Sequence, residues 1–191
     1  ELAAAGWTFR STSDTEVLLA ALETWGVDRT LARIRGMYAF AWWDARDDAL
    51  HLARDPIGKK PLYYWHEGPR LAFASELRPL VRWLRRQGVP LDVDPVAVEH
   101  HLAAGYIPAP RTIWMQIRKL AAGQAVVFAR GRLVAGAPWR LPPVEDPLPL
   151  AEVGLDALDD LLRAAVERRL RADVPVATFL SGGLDSTLVT A

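Results

Sequence analysis

Ser181-Gly182-Gly183-Leu184-Asp185-Ser186 is the stretch of this chain whose residue types and spacing can do chemistry. Two glycines without Cβ atoms allow a turn in which backbone N–H groups close around an anion, and Asp185, Ser186 and Thr187 stand where a helix would begin. Ahead of the turn, Val174, Val176, Phe179 and Leu180 form a short apolar run opened by Pro175, the composition of a strand buried on both faces. Strand, glycine turn and helix start place the loop at the carboxyl end of a strand, where open α/β sheets bind ligands. A plainer reading is an ordinary strand-to-helix turn, with Gly for tightness and Asp or Ser as caps. No G-x-x-x-x-G-K-[ST] string is present and no lysine follows the glycines. The loop is therefore not the Walker loop of γ-phosphoryl transfer.

The elements that must position this loop come just before it. Residues 151–172 carry Leu155, Leu158, Leu162, Ala165, Val166 and Leu170 at helical spacing, with Asp156, Asp159 and Asp160 early and Arg168, Arg169 and Arg171 late. That charge order suits the helix dipole and needs no ligand to explain it. The helix delivers the chain into the strand at 174–180, the beginning of a parallel α/β domain. Upstream, Pro138, Pro142, Pro143, Pro147 and Pro149 make an extended spacer, which marks a domain boundary.

The first part of the chain reads as a helix and then sheet. Ser13-Asp14-Thr15-Glu16 matches an S-x-x-E capping box, and Leu18, Ala21, Leu22 and Trp25 repeat with helical period before Gly26 stops the helix. Asp14 at that position is accounted for by the dipole alone. Four segments, 36–44, 49–55, 61–65 and 71–76, are rich in aromatic and aliphatic residues and separated by turn signals, which predicts an antiparallel meander covered on both faces. The aromatics are expected in the core, since no basic stripe accompanies them as in a nucleic-acid platform. Asp94-Pro95 opens a helix through about Ala104. His100 and His101 on it point about 100° apart and share no metal. Residues 124–128 and 132–135 form a hairpin around Arg130-Gly131.

Composition bounds the function. Lys plus Arg equals Asp plus Glu, 23 against 23, so no net field draws the chain to nucleic acid or an anionic membrane. Half of the residues are hydrophobic (51%), yet no run approaches the roughly 20 apolar residues of a membrane span. There is no cysteine, hence no disulfide framework or Cys-based metal site. The opening ELAAAGW lacks the regions of a signal peptide, and a cytoplasmic enzyme is expected.

The string SGGLDS behind an apolar run resembles the pyrophosphate loop of the ATP pyrophosphatases that activate carboxylates by adenylation. SDTEVLLAAL, RGMYAFAWWD, LARDPIGKKPLYY, FASELRPLV, GYIPAPRTIW, IRKL with Gly123, and FLSGGLDSTL together resemble, in this order, the glutamine-hydrolysing asparagine synthetases. The likeness covers nearly the whole chain. It implies an α+β glutaminase domain of the N-terminal-nucleophile type (αββα, two sheets between helices) over 1–137, a Pro-rich linker over 138–150, and the first helix, strand and pyrophosphate loop of an α/β ATP-pyrophosphatase domain over 151–191.

What that resemblance implies chemically is a two-step synthesis. An N-terminal cysteine releases ammonia from glutamine, and the ammonia attacks an aspartate carboxylate that ATP has adenylated. Carried onto this sequence, Ser181, Gly182, Gly183, Asp185 and Ser186 hold the phosphates, Phe179 and Leu180 line the nucleotide's approach, and Asp185 helps to hold Mg²⁺. Asp14 matches the acidic residue that accepts the α-amino group of glutamine. The implied partners are glutamine, aspartate and ATP, and the family suggests a homodimer. The nucleophilic cysteine is absent, as are the arginine and the Asn-Gly segment that complete the family's glutamine pocket. The expectation is therefore an internal fragment without activity of its own, poorly soluble through an exposed sheet edge. Two other readings stay open: a β-lactam-synthetase-like ligase acting on another carboxylate, and a non-catalytic binding or regulatory homologue.

Overall fold

The computed structural model describes residues 1–136 and 154–191. The spacer expected over 138–150 lies outside the described residues, as does the start of the helix expected from 151. The chain divides into two compact units, Glu1–Leu141 and Pro142–Ala191.

The first unit begins with a short 3-10 turn, Ala3–Ala5, and the helix α1 (Asp14–Leu31). Ser13 caps α1, its hydroxyl accepting from the Thr15 N–H at 3.2 Å. The capping box does not close. Glu16 reaches past Ser13 and accepts from the N–H groups of Arg10 and Ser11, both at 2.9 Å, and from the Ser11 hydroxyl at 2.6 Å. These bonds, the Ser11 hydroxyl first, hold the Glu16 carboxyl below the usual carboxylate range. Gly26 breaks the helical geometry as expected, with φ +72°, but the chain resumes helical turns and α1 runs on to Leu31.

Sheet follows, then two helices and three further strands: β1 (Ala39–Asp44), β2 (Ala49–Arg54), β3 (Tyr63–Glu67), β4 (Arg70–Ala74), α2 (Leu77–Arg86), α3 (Pro95–Ala104), β5 (Ile117–Lys119), β6 (Ala125–Ala129) and β7 (Arg132–Ala135). The four segments expected to be strands are strands, but they are not one meander. They split into two hairpins that belong to two antiparallel sheets, ordered β1-β2-β6-β7 and β4-β3-β5. Period-2 alternation then serves both layers. Leu52 and Val126 from the first sheet join Leu62 and Leu120 in one buried cluster, with Tyr64 and Leu71 of the second sheet against it. Trp65, one residue on from Tyr64, faces the other way and packs with Ile117 on Leu80, Val81 and Leu84 of α2. Leu77, Leu80, Val81 and Leu84 supply that face at helical spacing. Trp42 and Trp65 are buried as expected of core aromatics, whereas Trp43 and Phe73 stay largely exposed. The hairpin at Arg130-Gly131 forms with φ of +50° and +71°, the left-handed pair that a tight β-turn requires.

The break between the hairpins has a physical cause in the turn after β2. Asp55 is buried, and its carboxylate accepts from the N–H groups of Ile57 (3.1 Å), Lys59 (3.0 Å) and Lys60 (2.9 Å). Arg54 completes the corner by donating to the carbonyls of Lys60, Gly58 and Leu120 at 2.6–2.7 Å. Charged groups thus satisfy a set of backbone groups that no ladder can reach. Gly58 sits inside with φ +70°, and a Cβ there would come within 3.1 Å of the Ala122 Cβ and of Arg54 Nη2. Gly58→Ala is accordingly expected to lower stability by about 2 kcal/mol, read as a lower urea midpoint at unchanged m-value.

Asp94 caps α3 as predicted, accepting from the Val96 and Ala97 N–H groups at 3.0 and 3.4 Å, with Pro95 in the first turn and Gly105 (φ +75°) ending the helix. Its second oxygen takes the Arg111 guanidinium at 2.5 Å. One carboxylate therefore ties α3 to the Pro110-Arg111 segment.

The second unit contains α4 (Leu155–Glu167) and α5 (Leu184–Thr190). The helical spacing read over 151–172 is realised in α4, where Arg163 pairs with Asp159 at 2.6 Å. The strand expected at 174–180 does not form. Those residues are without strand pairing, and Val174, Val176, Phe179 and Leu180 are all exposed. A strand exists only through its ladder, and no described segment pairs with this one; apolar β-branched composition cannot substitute for a neighbour.

Candidate functional site

The turn after residue 180 has the geometry its glycines predict. Gly182 adopts φ +78°, a backbone state that side chains other than glycine's rarely take, and Gly183 returns to extended geometry as the N-cap of α5. The first backbone bond of the new helix runs from the Thr187 N–H to the Gly183 carbonyl at 3.0 Å. The N–H groups of Leu184, Asp185 and Ser186 precede it and have no intrahelical acceptor.

Hydroxyl groups brace the turn. The Oγ atoms of Ser181 and Ser186 lie 3.0 Å apart across the glycines. Ser186 and Thr187 both donate to the Gly183 carbonyl, at 3.0 and 2.9 Å. Thr190 donates to the Ser186 carbonyl at 2.7 Å and lies 3.3 Å from the Thr178 hydroxyl, which ties the far end of α5 to the approaching segment. The bracing threonines went unread in the sequence; Thr187 and Thr190, one helical turn on from Gly183 and Ser186, were the signal available.

Of the residues singled out, Ser181, Gly182, Gly183, Asp185 and Ser186 therefore fall in one turn. Asp185 lies in the first turn of α5, exposed, where its charge suits the helix end. Phe179 and Leu180 are adjacent to the turn but bare, Phe179 completely so. Asp14 belongs to the other unit. It occupies the first position of α1, is exposed, and accepts a long 3.4 Å contact from the Thr15 hydroxyl.

These donors fit a nucleotide phosphate: free N–H groups, two hydroxyls and a glycine backbone with nothing within 4 Å of a would-be Gly182 Cβ. They fit Mg²⁺ in one respect, because Asp185 offers a hard oxygen donor. No cluster of three or more acidic or histidine side chains occurs among the described residues. A cation here would take one carboxylate and complete its shell with phosphate and water, the usual habit of Mg²⁺.

Comparison with known proteins places the chain. Residues 1–139 match the glutamine amidotransferase domain family, and residues 157–191 match the asparagine synthase family. The chain belongs to the glutamine amidotransferase domain family, which covers most of its length. Among its relatives is a glutamine-hydrolysing asparagine synthetase of Bacillus subtilis, 37% identical over 100% of this chain and 30% of the relative. Another from the same organism is 33% identical over 100% of this chain and 29% of the relative. A more distant one, the amidase chyE of Penicillium rubens, is 30% identical over 97% of this chain and 27% of the relative. The chain thus spans about 30% of the length of these curated relatives. No described helix is long and apolar enough to cross a membrane.

Proposed function

We propose that this chain is part of a glutamine-dependent asparagine synthetase, which converts ATP, aspartate and glutamine to AMP, pyrophosphate, asparagine and glutamate. The observation that carries the reading is the order of two matches within one chain, amidotransferase over 1–139 and asparagine synthase over 157–191, with SGGLDS inside the second. Domain boundaries follow the same division: an amidotransferase domain of N-terminal-nucleophile type over 1–137, the spacer over 138–150, and a nucleotide-binding part over 151–191.

When bound, ATP supplies the activated phosphate that makes a carboxylate electrophilic. The roles left to the chain are those of holding charge. Leu184, Asp185 and Ser186 offer backbone N–H groups to the departing phosphates. The Ser181 and Ser186 hydroxyls, 3.0 Å apart, would turn to donate to phosphate oxygens on either side of the glycine turn, Ser186 exchanging its bond to the Gly183 carbonyl. Asp185 would hold Mg²⁺, whose charge would offset that of the departing phosphates, and Phe179 and Leu180 would line the nucleotide's approach. Asp14 accepts the α-amino group of glutamine, an ammonium for which an exposed carboxylate at a helix start is available. These 191 residues contain no cysteine, so a thiol that opens the glutamine amide comes from outside them. A cytoplasmic, dimeric enzyme follows the family.

A second reading is a related ligase on the same scaffold that acts on another carboxylate, and not every relative of the chain is named an asparagine synthetase. The experiment that separates the two supplies amide-¹⁵N glutamine, ATP, Mg²⁺ and aspartate to the product of the open reading frame encoding this chain. Label appearing in asparagine supports the first reading; label appearing only when a different carboxylate is added supports the second.

A further inference from the structure

A cavity of about 430 Å³ opens in the first unit, lined by Tyr64, Pro110, Arg118, Ala121, Ala122 and Gln124. Its lining does not include Asp14, and its volume falls within the range of small-molecule sites. Tyr64 and Arg118 are directly opposed in the antiparallel β3·β5 pair, so their side chains leave the same face of the sheet as neighbours. Gln124 accepts from the Ala121 N–H at 3.3 Å through Oε1, which leaves its Nε2 as a donor. Neither the Arg118 guanidinium, the Tyr64 hydroxyl nor Gln124 Nε2 has a hydrogen-bond or ion-pair partner among the described residues. Ala121, Ala122 and Pro110 add an apolar wall.

The charge around the cavity is unbalanced. Arg54 gives its protons to the carbonyls of Lys60, Gly58 and Leu120, and Lys119 gives one to the Ile107 carbonyl at 2.7 Å. Neither meets a carboxylate. Asp55, the acid of this corner, has its oxygens taken by backbone N–H groups. Burial and then the neighbouring Arg54 press the Lys119 ammonium below its usual range, and burial raises the Tyr64 hydroxyl against the pull of Arg118. Arg118 is the one charged residue in the cavity lining, with no carboxylate among the residues that line it.

We propose that this cavity is a second binding site, which takes a small carboxylate: the anion engages the planar fork of Arg118, with Tyr64 and Gln124 as further donors, and its carbon skeleton rests on Ala121, Ala122 and Pro110. A guanidinium beside an apolar wall suits a carboxylate better than phosphate, since the cavity has no glycine turn of free N–H groups. The site is independent of the reaction assigned above.

The test is isothermal titration calorimetry of the chain with succinate at low salt, beside inorganic phosphate and beside 1,4-butanediol, which has the same skeleton without charge. Succinate is expected to bind one to one in the millimolar range, and butanediol not at all. Arg118→Gln weakens succinate at least about 10-fold, Arg118→Lys less because the charge remains, and Tyr64→Phe a few-fold. Arg118 is exposed, so the fold survives these changes, which circular dichroism checks. The proposal is overturned if succinate does not bind, if phosphate binds and succinate does not, or if Arg118→Gln leaves succinate binding unchanged.

Discussion

Asp55→Ala destabilises the first unit by about 4 kcal/mol, the largest stability effect expected of any polar substitution in it. The change removes the buried carboxylate that accepts from three N–H groups, those of Ile57, Lys59 and Lys60, and leaves a void at the corner that organises an otherwise exposed turn. The same turn carries the chain from one sheet to the other through the Asp55 carbonyl, which accepts from the Gly58 and Gly123 N–H groups, both at 2.9 Å. Asp55→Asn keeps one acceptor oxygen and is expected to cost about half as much. Urea unfolding followed by tryptophan fluorescence reads both. An unchanged midpoint for Asp55→Ala would mean that the corner is held by Arg54 alone.

The same residue sets a pH dependence whose sign can be worked out. Burial by itself would raise the Asp55 carboxyl; the N–H groups of Lys60, Lys59, Ile57 and Gly58 outweigh it and hold the group below its ordinary value. A depressed folded pKa gives stability that is fully present above the unfolded value of about 3.9 and is lost as pH falls through the folded value. The wild-type chain should therefore lose stability more steeply below about pH 4 than Asp55→Asn, and the two curves should converge in acid.

Asp185→Asn is expected to lower pyrophosphate release by about 10²-fold in the gene product that carries this chain, with the fold intact because Asp185 is exposed. The role assigned to Asp185 is to hold Mg²⁺ against the phosphates, so the loss should be accompanied by a higher Mg²⁺ requirement. An Asp185 whose charge only suits the start of α5 would leave that requirement unmoved, since its loss would weaken the helix end and not a cation site. Release by Asp185→Asn at the wild-type rate and Mg²⁺ dependence would remove Asp185 from the site.

What could be read from the sequence divides along the range of the interactions. The glycine turn at 182–183, the cap at Asp94-Pro95 and the hairpin at Arg130-Gly131 were legible because each is decided by the conformational freedom or the side-chain oxygen of one or two residues. Strand segments were legible from composition, but their assignment to sheets was not. β2 pairs with β6 and β3 with β5, partners far along the chain, and nothing in a single segment names its partner. Asp55 illustrates the same limit. Its neighbours Pro56 and Gly58 announce a turn, yet its burial depends on Leu120 and Gly123 arriving from elsewhere.

Two further misreadings have the same origin. Residues 174–180 have strand composition and no partner among the described residues, so they stay unpaired. Glu16 was assigned to the N–H of Ser13 by the spacing of the capping box, but the preceding loop folds back and offers Arg10 and Ser11 instead. At the candidate site the residue types were readable and the bracing by Thr187 and Thr190 was not, because a threonine's partner depends on the helix register it finds itself in.

The measurement that tests the central claim most directly is pyrophosphate release by the product of the open reading frame encoding this chain, with ATP, Mg²⁺ and glutamine, in the presence of aspartate, of other carboxylates and of no acceptor. The account predicts release that depends on aspartate and is matched by asparagine formed. Release that requires another carboxylate would move the protein to a different ligase on the same scaffold, and no release with any acceptor would contradict an ATP-dependent role for the glycine turn.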